Sequence, residues 1–293
     1  MLRAMHSSSV ALPVSYLFVP ATRCDRLPKA LASGADAVIV DLEDAVALPE
    51  RPAARQALSA WLRSAAHRGA ATGDAADARP GAWLLVRINA PSAGELHDDL
   101  RVAGLPGVDG VVVAKAERVE DLLRVGAALP GRVLLPLVET AAGLAEARAL
   151  ARVPGVHRLV FGSIDFQADL DLDVGEEALW PFRAELVLAS RLAGLAAPVD
   201  GVTLALDDPD QVLRDTRRAR RQGFGAKLCI HPRQLEAVRR GFAPTEAELS
   251  WAQRVVDAAQ AAQGGAVALD GLMIDTPVVL RAQAVLARAQ TSC

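Results

Sequence analysis

Short runs of consecutive apolar residues alternate with longer stretches of helical periodicity along most of this chain. Eight runs are rich in Val, Ile or Leu and are each followed by polar residues. They occupy residues 15–19, 37–41, 83–88, 110–114, 133–138, 158–161, 201–204 and 225–230. Runs that are apolar throughout, with no polar residue at every second position, are typical of parallel strands covered on both faces.

Helical periodicity fills the intervals between these runs. The predicted helices cover residues 25–33, 51–66, 118–128, 141–152, 180–193 and 208–222. Eight strands that alternate with helices predict an α/β fold, a closed (β/α)8 TIM barrel. An open doubly wound sheet is the alternative, but no GxGxxG motif follows the first strand.

The barrel is predicted to span residues 14–243, and residues 244–293 form a C-terminal extension. The extension contains a predicted helix at 246–263, a segment at 269–275 and a last helix from residue 277. A barrel does not need this segment for closure, so we expect it to pack on the barrel or on a neighbouring subunit. Residues 67–81, rich in Ala, Gly and Asp, are predicted to form a surface loop.

Composition narrows the classes of function. The chain has 293 residues, 52% of them apolar, which suits one large barrel domain. Its net charge of −3 carries no basic surplus, so a nucleic-acid partner is not expected. Three cysteines without a CxxC pair, and no apolar run long enough for a signal peptide or a membrane span, predict a cytoplasmic protein without membrane contact.

Polar residues at the ends of the strands are the candidates for chemistry, because barrel active sites form at the carboxyl ends of the strands. In strand order they are Arg23 and Arg26, Asp41, Glu43 and Asp44, Arg87 and Asn89, Lys115, Glu139 and Thr140, Asp165, Asp207 and Asp208, and His231. Several carboxylates would repel one another on such a rim unless a cation or shared protons joined them.

Glu139 and Asp165 end neighbouring strands and are predicted to bind one Mg²⁺, which prefers oxygen ligands. Arg87 is placed to hold a substrate carboxylate through two parallel hydrogen bonds. Other strand-end residues have simpler interpretations. Asp171, Asp207 and Asp208 are expected in capping or turn roles, Asp41 either turns the chain or takes part in the site, and His231 is either a core histidine or a ligand. A nucleophilic role for Cys229 is not expected.

The motifs around these residues resemble a known family. They are SYLFVP at 15–20, Lys29-Ala30, GADAVIVDLEDAV at 34–46, VRIN at 86–89, Lys115, Glu139-Thr140, Gly162 with Asp165-Phe166, GFGAK at 223–227, Ile230-His-Pro232 with Gln234, and GLMID at 271–275. The chain resembles the citrate lyase β-subunit-like proteins of the HpcH/HpaI aldolase group, in family order from about residue 15 to 288.

This resemblance implies a barrel that assembles as a homo-oligomer, a trimer or a multiple of one, and binds Mg²⁺ through Glu139 and Asp165. It implies a lyase that makes or cleaves carboxylated 3-hydroxyacyl-CoA thioesters of the malyl-, citramalyl- or citryl-CoA type by retro-Claisen chemistry. Further implied roles are substrate contact by Arg87 and Lys115, CoA phosphate contact by Arg23 and Lys29, and acid/base catalysis by Asp275, in several relatives across a subunit interface.

Three departures from the family pattern bear on the substrate. The metal motif reads Gly162-Ser-Ile-Asp165, with apolar Ile164 where relatives commonly carry another residue; residues 169–173 form an acidic loop; and Ala21 replaces a glycine. Three alternatives to the CoA lyase therefore remain. They are an aldolase on free 2-keto acids, a citrate-lyase complex subunit that needs an acyl-carrier partner, and a binding or regulatory protein with weakened catalysis.

Overall fold

Eight parallel strands close into a barrel in chain order, and β8 pairs back with β1. The structure is a computed structural model that describes residues 12–64, 81–172, 176–261 and 267–291. The strands are β1 Ser15–Pro20, β2 Ala37–Asp41, β3 Trp83–Ile88, β4 Gly110–Val113, β5 Val133–Val138, β6 Val160–Phe161, β7 Val199–Asp200 and β8 Ala226–Cys229. The predicted (β/α)8 barrel is confirmed.

Helices follow the strands in the alternating order that was predicted. They are α1 Leu27–Leu31, α2 Arg51–Arg63, α3 Leu96–Ala103, α4 Val119–Ala128, α5 Ala141–Leu150, α6 Ser163–Asp169, α7 Trp180–Leu192, α8 Pro209–Arg221 and α9 Leu235–Phe242. Short 3-10 turns precede several of them, including Ala21–Arg26 before α1. The predicted surface loop at 67–81 lies, except for Gly81, outside the described residues.

Alternate residues of all eight strands pack into one buried cluster. Tyr16, Ile39, Leu85, Leu135 and Val199 are among its members, and each is fully buried. A second cluster joins the other faces of β5 and β6 to the helices α5 to α8. The barrel is therefore a packed core, and ligands have room only at its rim.

Strand β7 differs from the prediction. It was expected at 201–204, and the structure has it at Val199–Asp200. The fully buried Asp200 carboxylate lies 3.1 Å from Lys227 Nζ and 3.1 Å from Arg183 Nε. The sequence pattern placed the strand after Asp200, whereas two cations allow this charged residue to belong to the strand.

The chain forms two compact units that divide between Val238 and Arg239. In the second unit, α10 Glu246–Ala261, the antiparallel hairpin β9 Val267–Leu269 and β10 Leu272–Ile274, and α11 Thr276–Thr291 follow one another. Residues of α10, β10 and α11 share a small buried cluster. The helical extension is confirmed. None of the helices in the described ranges combines the length and apolar character needed to cross a bilayer.

Candidate active site

A cavity of about 340 Å³ opens where strands β1, β2, β3, β5, β6, β7 and β8 end. It is lined by Phe18, Asp41, Asp44, Ala45, Arg87, Leu137, Glu139, Phe161, Gly162, Ser163, Ile164, Asp165, Val202, Leu228 and Ile230. The structure thus brings together Arg87, Glu139 and Asp165, as the sequence predicted. The volume suits a small ligand or the acyl end of a larger one.

Glu139 is the most perturbed carboxylate of the site. Only 1% of it is exposed, one oxygen accepts the backbone N–H of Lys115 at 2.8 Å, and the other, Oε2, is buried and finds no hydrogen-bond partner in the described part of the chain. Burial, together with the negative charges of Glu43 and Asp165, raises the pKa of Glu139 from 4.5 to about 8. A buried carboxylate oxygen without a donor is a position where a cation would be favourable.

Asp165 lies beside Glu139 because their strands pair directly. Val138 of β5 is opposite Phe161 of β6, and Asp165 follows on the first turn of α6. Gly162 leaves the necessary room: a Cβ there would meet Glu139 Cβ at 2.5 Å and Oε2 at 2.6 Å. Only glycine at this position permits the Glu139 side chain to lie against β6.

This pair fits a hard divalent cation that keeps several waters. Within the described ranges, no group of three or more His, Cys, Asp or Glu side chains is arranged to hold a metal ion. Two carboxylates follow neighbouring strands, and one of them has a buried oxygen to which no described residue donates, which matches the way Mg²⁺ binds to proteins together with substrate oxygens. Closed sites for Zn²⁺ need more protein ligands.

Arg87 is fixed by carboxylates at the end of β2 and in the loop that follows it. Its Nε and Nη2 donate to the two oxygens of Asp41, both at 2.6 Å, while Nη1 lies 3.0 Å from Glu43 and 3.3 Å from Asp44. Burial alone would lower the pKa of Arg87, but these carboxylates outweigh it, and the pKa is raised. Asp41 also accepts the N–H groups of Glu43 and Ala45, so it turns the chain and orients Arg87 at once. That Arg87 contacts substrate stays a prediction.

Lys115 contacts both Glu139 and Glu43, and its backbone conformation is uncommon. Its φ is +46°, a left-handed conformation that side chains other than glycine rarely adopt, and this conformation accompanies the N–H contact with Glu139. Its ammonium donates to Glu43 Oε1 at 2.6 Å. Burial would lower the pKa of Lys115, but the Glu43 carboxylate raises it. The predicted substrate contact of Lys115 would therefore compete with Glu43.

The sequence analysis did not predict a buried hydrogen-bond network that holds the loop after β2. Asn89 Nδ2 donates to Leu42 O at 3.1 Å and to Asp99 Oδ2 at 2.8 Å, and Asp99 accepts from Arg55 at 2.6 Å. Asp99 belongs to α3, a helix that the pattern did not predict. Its buried carboxylate could have been found only by recognising that helix as amphipathic.

Asp169 gives the acidic loop a structural role. Its Oδ2 accepts the N–H of Ala141 at 2.7 Å, and Thr140 accepts the N–H of Gly143 at 3.0 Å, so two side chains cap the start of α5. Asp169 ends α6, which begins with the Asp165 segment. The loop therefore ties the segment after Glu139 to the helix that carries Asp165. Asp173 lies outside the described residues.

Residues after β7 and β8 have structural roles. Asp208 caps α8 by accepting the N–H of Gln211 at 2.9 Å, and Asp207 pairs with Arg233. His231 is only half-buried, so it is not the core histidine that was one of its two expected roles, and its Nδ1 accepts the N–H of Arg233 at 3.2 Å at the start of a 3-10 turn. Burial raises the pKa of Cys229 to about 12, the reverse of what a nucleophilic thiolate requires.

The remaining predicted residues are exposed side chains that are absent from the lining of the cavity. Arg23 and Lys29 are exposed on the segment after β1, where the Arg23 guanidinium donates to both oxygens of Asp25 at 3.0 and 2.9 Å. Asp275 belongs to the C-terminal unit, is exposed, and accepts the N–H of Val278 at 3.3 Å at the start of α11. The predicted CoA and acid/base roles of these residues stay predictions.

A closed barrel with carboxylates and a buried arginine at its rim has the architecture of a (β/α)8 enzyme active site. The chain matches the family model HpcH/HpaI aldolase/citrate lyase over residues 14–232, and it belongs to this family. The resemblance inferred from the motifs is confirmed.

Relatives of the whole chain agree with this assignment. It is 38% identical to a citrate lyase subunit beta-like protein of Deinococcus radiodurans, with 94% of this chain and 97% of the relative covered. It is 31% identical to a (3S)-malyl-CoA thioesterase of Cereibacter sphaeroides, with 94% of each covered. The crystal structure of CitE from Mycobacterium tuberculosis with magnesium, acetoacetate and coenzyme A superposes with a TM-score of 0.81 at 31% identity, covering 96% of this chain and 99% of that one.

Proposed function

We propose that this chain is a Mg²⁺-dependent lyase that cleaves or forms a carboxylated 3-hydroxyacyl-CoA of the malyl-, citramalyl- or citryl-CoA type. The observation that carries the proposal is the buried Glu139 carboxylate, whose Oε2 has no hydrogen-bond partner among the described residues and lies in the cavity that Asp165 and Arg87 also line. The magnesium and coenzyme A of the Mycobacterium tuberculosis structure support the same assignment.

Glu139 and Asp165 would hold the metal, which would supply positive charge to the keto-acid oxygens as they form. Arg87 orients the substrate through its carboxylate, because Asp41 already fixes the plane of the guanidinium. In the cleavage direction, the 3-hydroxyl loses its proton and the C2–C3 bond breaks. Its electron pair passes to the thioester enolate, which takes up a proton at C2.

Asp275 is our proposal for the group that moves these protons. It is exposed at the start of α11, where its carboxylate accepts the N–H of Val278 at 3.3 Å. In a trimer or a multiple of it, this aspartate would serve the site of an adjacent subunit. Mixing inactive Glu139→Ala and Asp275→Ala proteins would then restore part of the activity, whereas action within one chain would leave the mixture inactive.

The experiment that tests the function is a panel of malyl-, citramalyl- and citryl-CoA with Mg²⁺. We expect a 2-keto acid and acetyl-CoA in equal amounts, and loss of about 100-fold or more of kcat/KM in Glu139→Ala. Full activity and full Mg²⁺ binding in Glu139→Ala would refute the scheme. Turnover only when a partner supplies an acyl-carrier thioester would indicate the complex subunit instead.

Hydrolysis is the second candidate, because one relative is a malyl-CoA thioesterase. A thioesterase releases free CoA thiol and malate, whereas a lyase releases acetyl-CoA and glyoxylate, so thiol titration separates the two. A thermal-shift measurement with CoA alone tests the roles of Arg23 and Lys29, since ligand binding raises the melting temperature. No shift would favour an aldolase on free keto acids. Residence in the cytoplasm is part of the same proposal.

A further inference from the structure

We infer that the cavity selects a substrate whose keto-acid half carries a single carboxylate and a small apolar substituent. A pyruvate-like unit is accepted and an oxaloacetate-like unit, with its second carboxylate, is disfavoured. This inference rests on the proposed lyase function and names the substrate class of the same site. It follows from the charges and the apolar wall of the cavity.

The cavity is lined by more negative than positive charge. Four carboxylates, those of Asp41, Asp44, Glu139 and Asp165, face one cation, Arg87. No other lysine or arginine of the described ranges lines it. One Mg²⁺ bound between Glu139 and Asp165 would offset two of these charges, so a second substrate carboxylate would still face unfavourable charge.

Arg87 has few donors left for substrate. A guanidinium carries five N–H groups. Nε and Nη2 donate to Asp41, and Nη1 is shared between Glu43 and Asp44. The Lys115 ammonium does not line the cavity and donates to Glu43 at 2.6 Å. Arg87 can therefore hold one substrate carboxylate by direct contact, and no second cation of the described residues lines the cavity to receive another.

Apart from Ser163, the side chains of the remaining wall of the cavity are apolar. Phe18, Ile164, Val202, Leu228 and Ile230 line it. A methyl group gains by leaving water against this surface, whereas a carboxylate would lose its hydration without a partner. Ile164, which departs from the family pattern, belongs to this wall and lies next to Asp165.

Two thioesters isolate the difference. Citramalyl-CoA and citryl-CoA differ at C3, where the first carries a methyl group and the second a carboxymethyl group. Both yield acetyl-CoA, and C3 becomes the keto carbon of pyruvate or of oxaloacetate. We expect kcat/KM for citramalyl-CoA to exceed that for citryl-CoA by about 100-fold, because a carboxylate that loses water without gaining a cationic partner is strongly disfavoured.

A matched pair of variants tests whether the lack of a second cation causes the preference for citramalyl-CoA. Ile230→Arg places a cation on the apolar wall, at a residue that is 37% exposed and can accept a longer side chain. Leu206→Arg adds the same charge to the loop after β7, at a residue that does not line the cavity. We expect Ile230→Arg to reduce the preference at least tenfold and Leu206→Arg to leave the preference ratio within about twofold.

Binding provides a readout that does not depend on turnover. With Mg²⁺, pyruvate should raise the melting temperature of the wild type more than freshly dissolved oxaloacetate does. In Ile230→Arg, the two shifts in melting temperature should be equal, or the shift with oxaloacetate should be the larger. Equal cleavage of both thioesters would overturn the inference and leave the lyase function standing. If neither thioester is cleaved, the lyase function fails, and the melting temperatures decide the inference: equal shifts overturn it, a larger shift with pyruvate supports it.

Discussion

Replacing Glu139 by Gln should make the metal-free protein more stable at neutral and alkaline pH. In the folded chain, burial raises the pKa of Glu139 from 4.5 to about 8, whereas the unfolded chain ionises near 4.5. Between these values the folded state holds a proton that the unfolded state has lost. Stability therefore falls as pH rises through this window, because the unfolded state binds fewer protons.

The size of the effect follows from the two pKa values. Each pH unit between 4.5 and about 8 lowers the free energy of unfolding of the metal-free wild type by about 1.4 kcal/mol. Over the whole range, the decrease is on the order of 5 kcal/mol. Glutamine cannot ionise, and its carbonyl still accepts the N–H of Lys115. The two proteins should thus have similar stability near pH 4.5 and diverge as pH rises.

Urea denaturation with EDTA at pH 5, 6, 7, 8 and 9 would measure this divergence. We expect the difference in unfolding free energy to grow to pH 8 and to level off above it. Mg²⁺ at pH 8 should restabilise the wild type and leave the Gln variant unchanged, because the metal requires the ionised carboxylate. A difference that does not vary with pH, or equal stabilisation of both proteins by Mg²⁺, would refute this account of Glu139.

Two further substitutions test the geometry around the pair. Gly162→Ala should weaken Mg²⁺ binding at least tenfold, because the added Cβ would meet Glu139 Oε2 at 2.6 Å and displace it; titration calorimetry checks this, and unchanged affinity would contradict the role of Gly162. Asp169→Ala should lower the free energy of unfolding by about 1 kcal/mol through loss of the α5 cap, whereas Asp169→Asn should stay close to wild type. Urea denaturation measures both variants, and equal losses of stability would show that the cap is not the cause.

The strands were the most predictable part of the fold. Buried parallel strands must be apolar on both faces, so β2, β3 and β5 lie where the pattern placed them. Strand β7 was misplaced because Asp200 is charged, and only Lys227 and Arg183, distant in sequence, make its burial possible. Helix α3 was missed for a related reason: its buried Asp99 is stabilised by Arg55 of α2.

The sequence by itself determined the barrel, the family and the strand-end residues Arg87, Glu139 and Asp165, because strand periodicity alone brings those ends to one rim. Only the tertiary structure decided which of these charged groups form ion pairs with one another. Arg87 is bound to Asp41, Lys115 to Glu43, and Glu139 Oε2 has no donor among the described residues. Such pairings depend on distances between strands that are far apart in the chain. Periodicity carries no information about those distances, and the pKa of Glu139 follows from them.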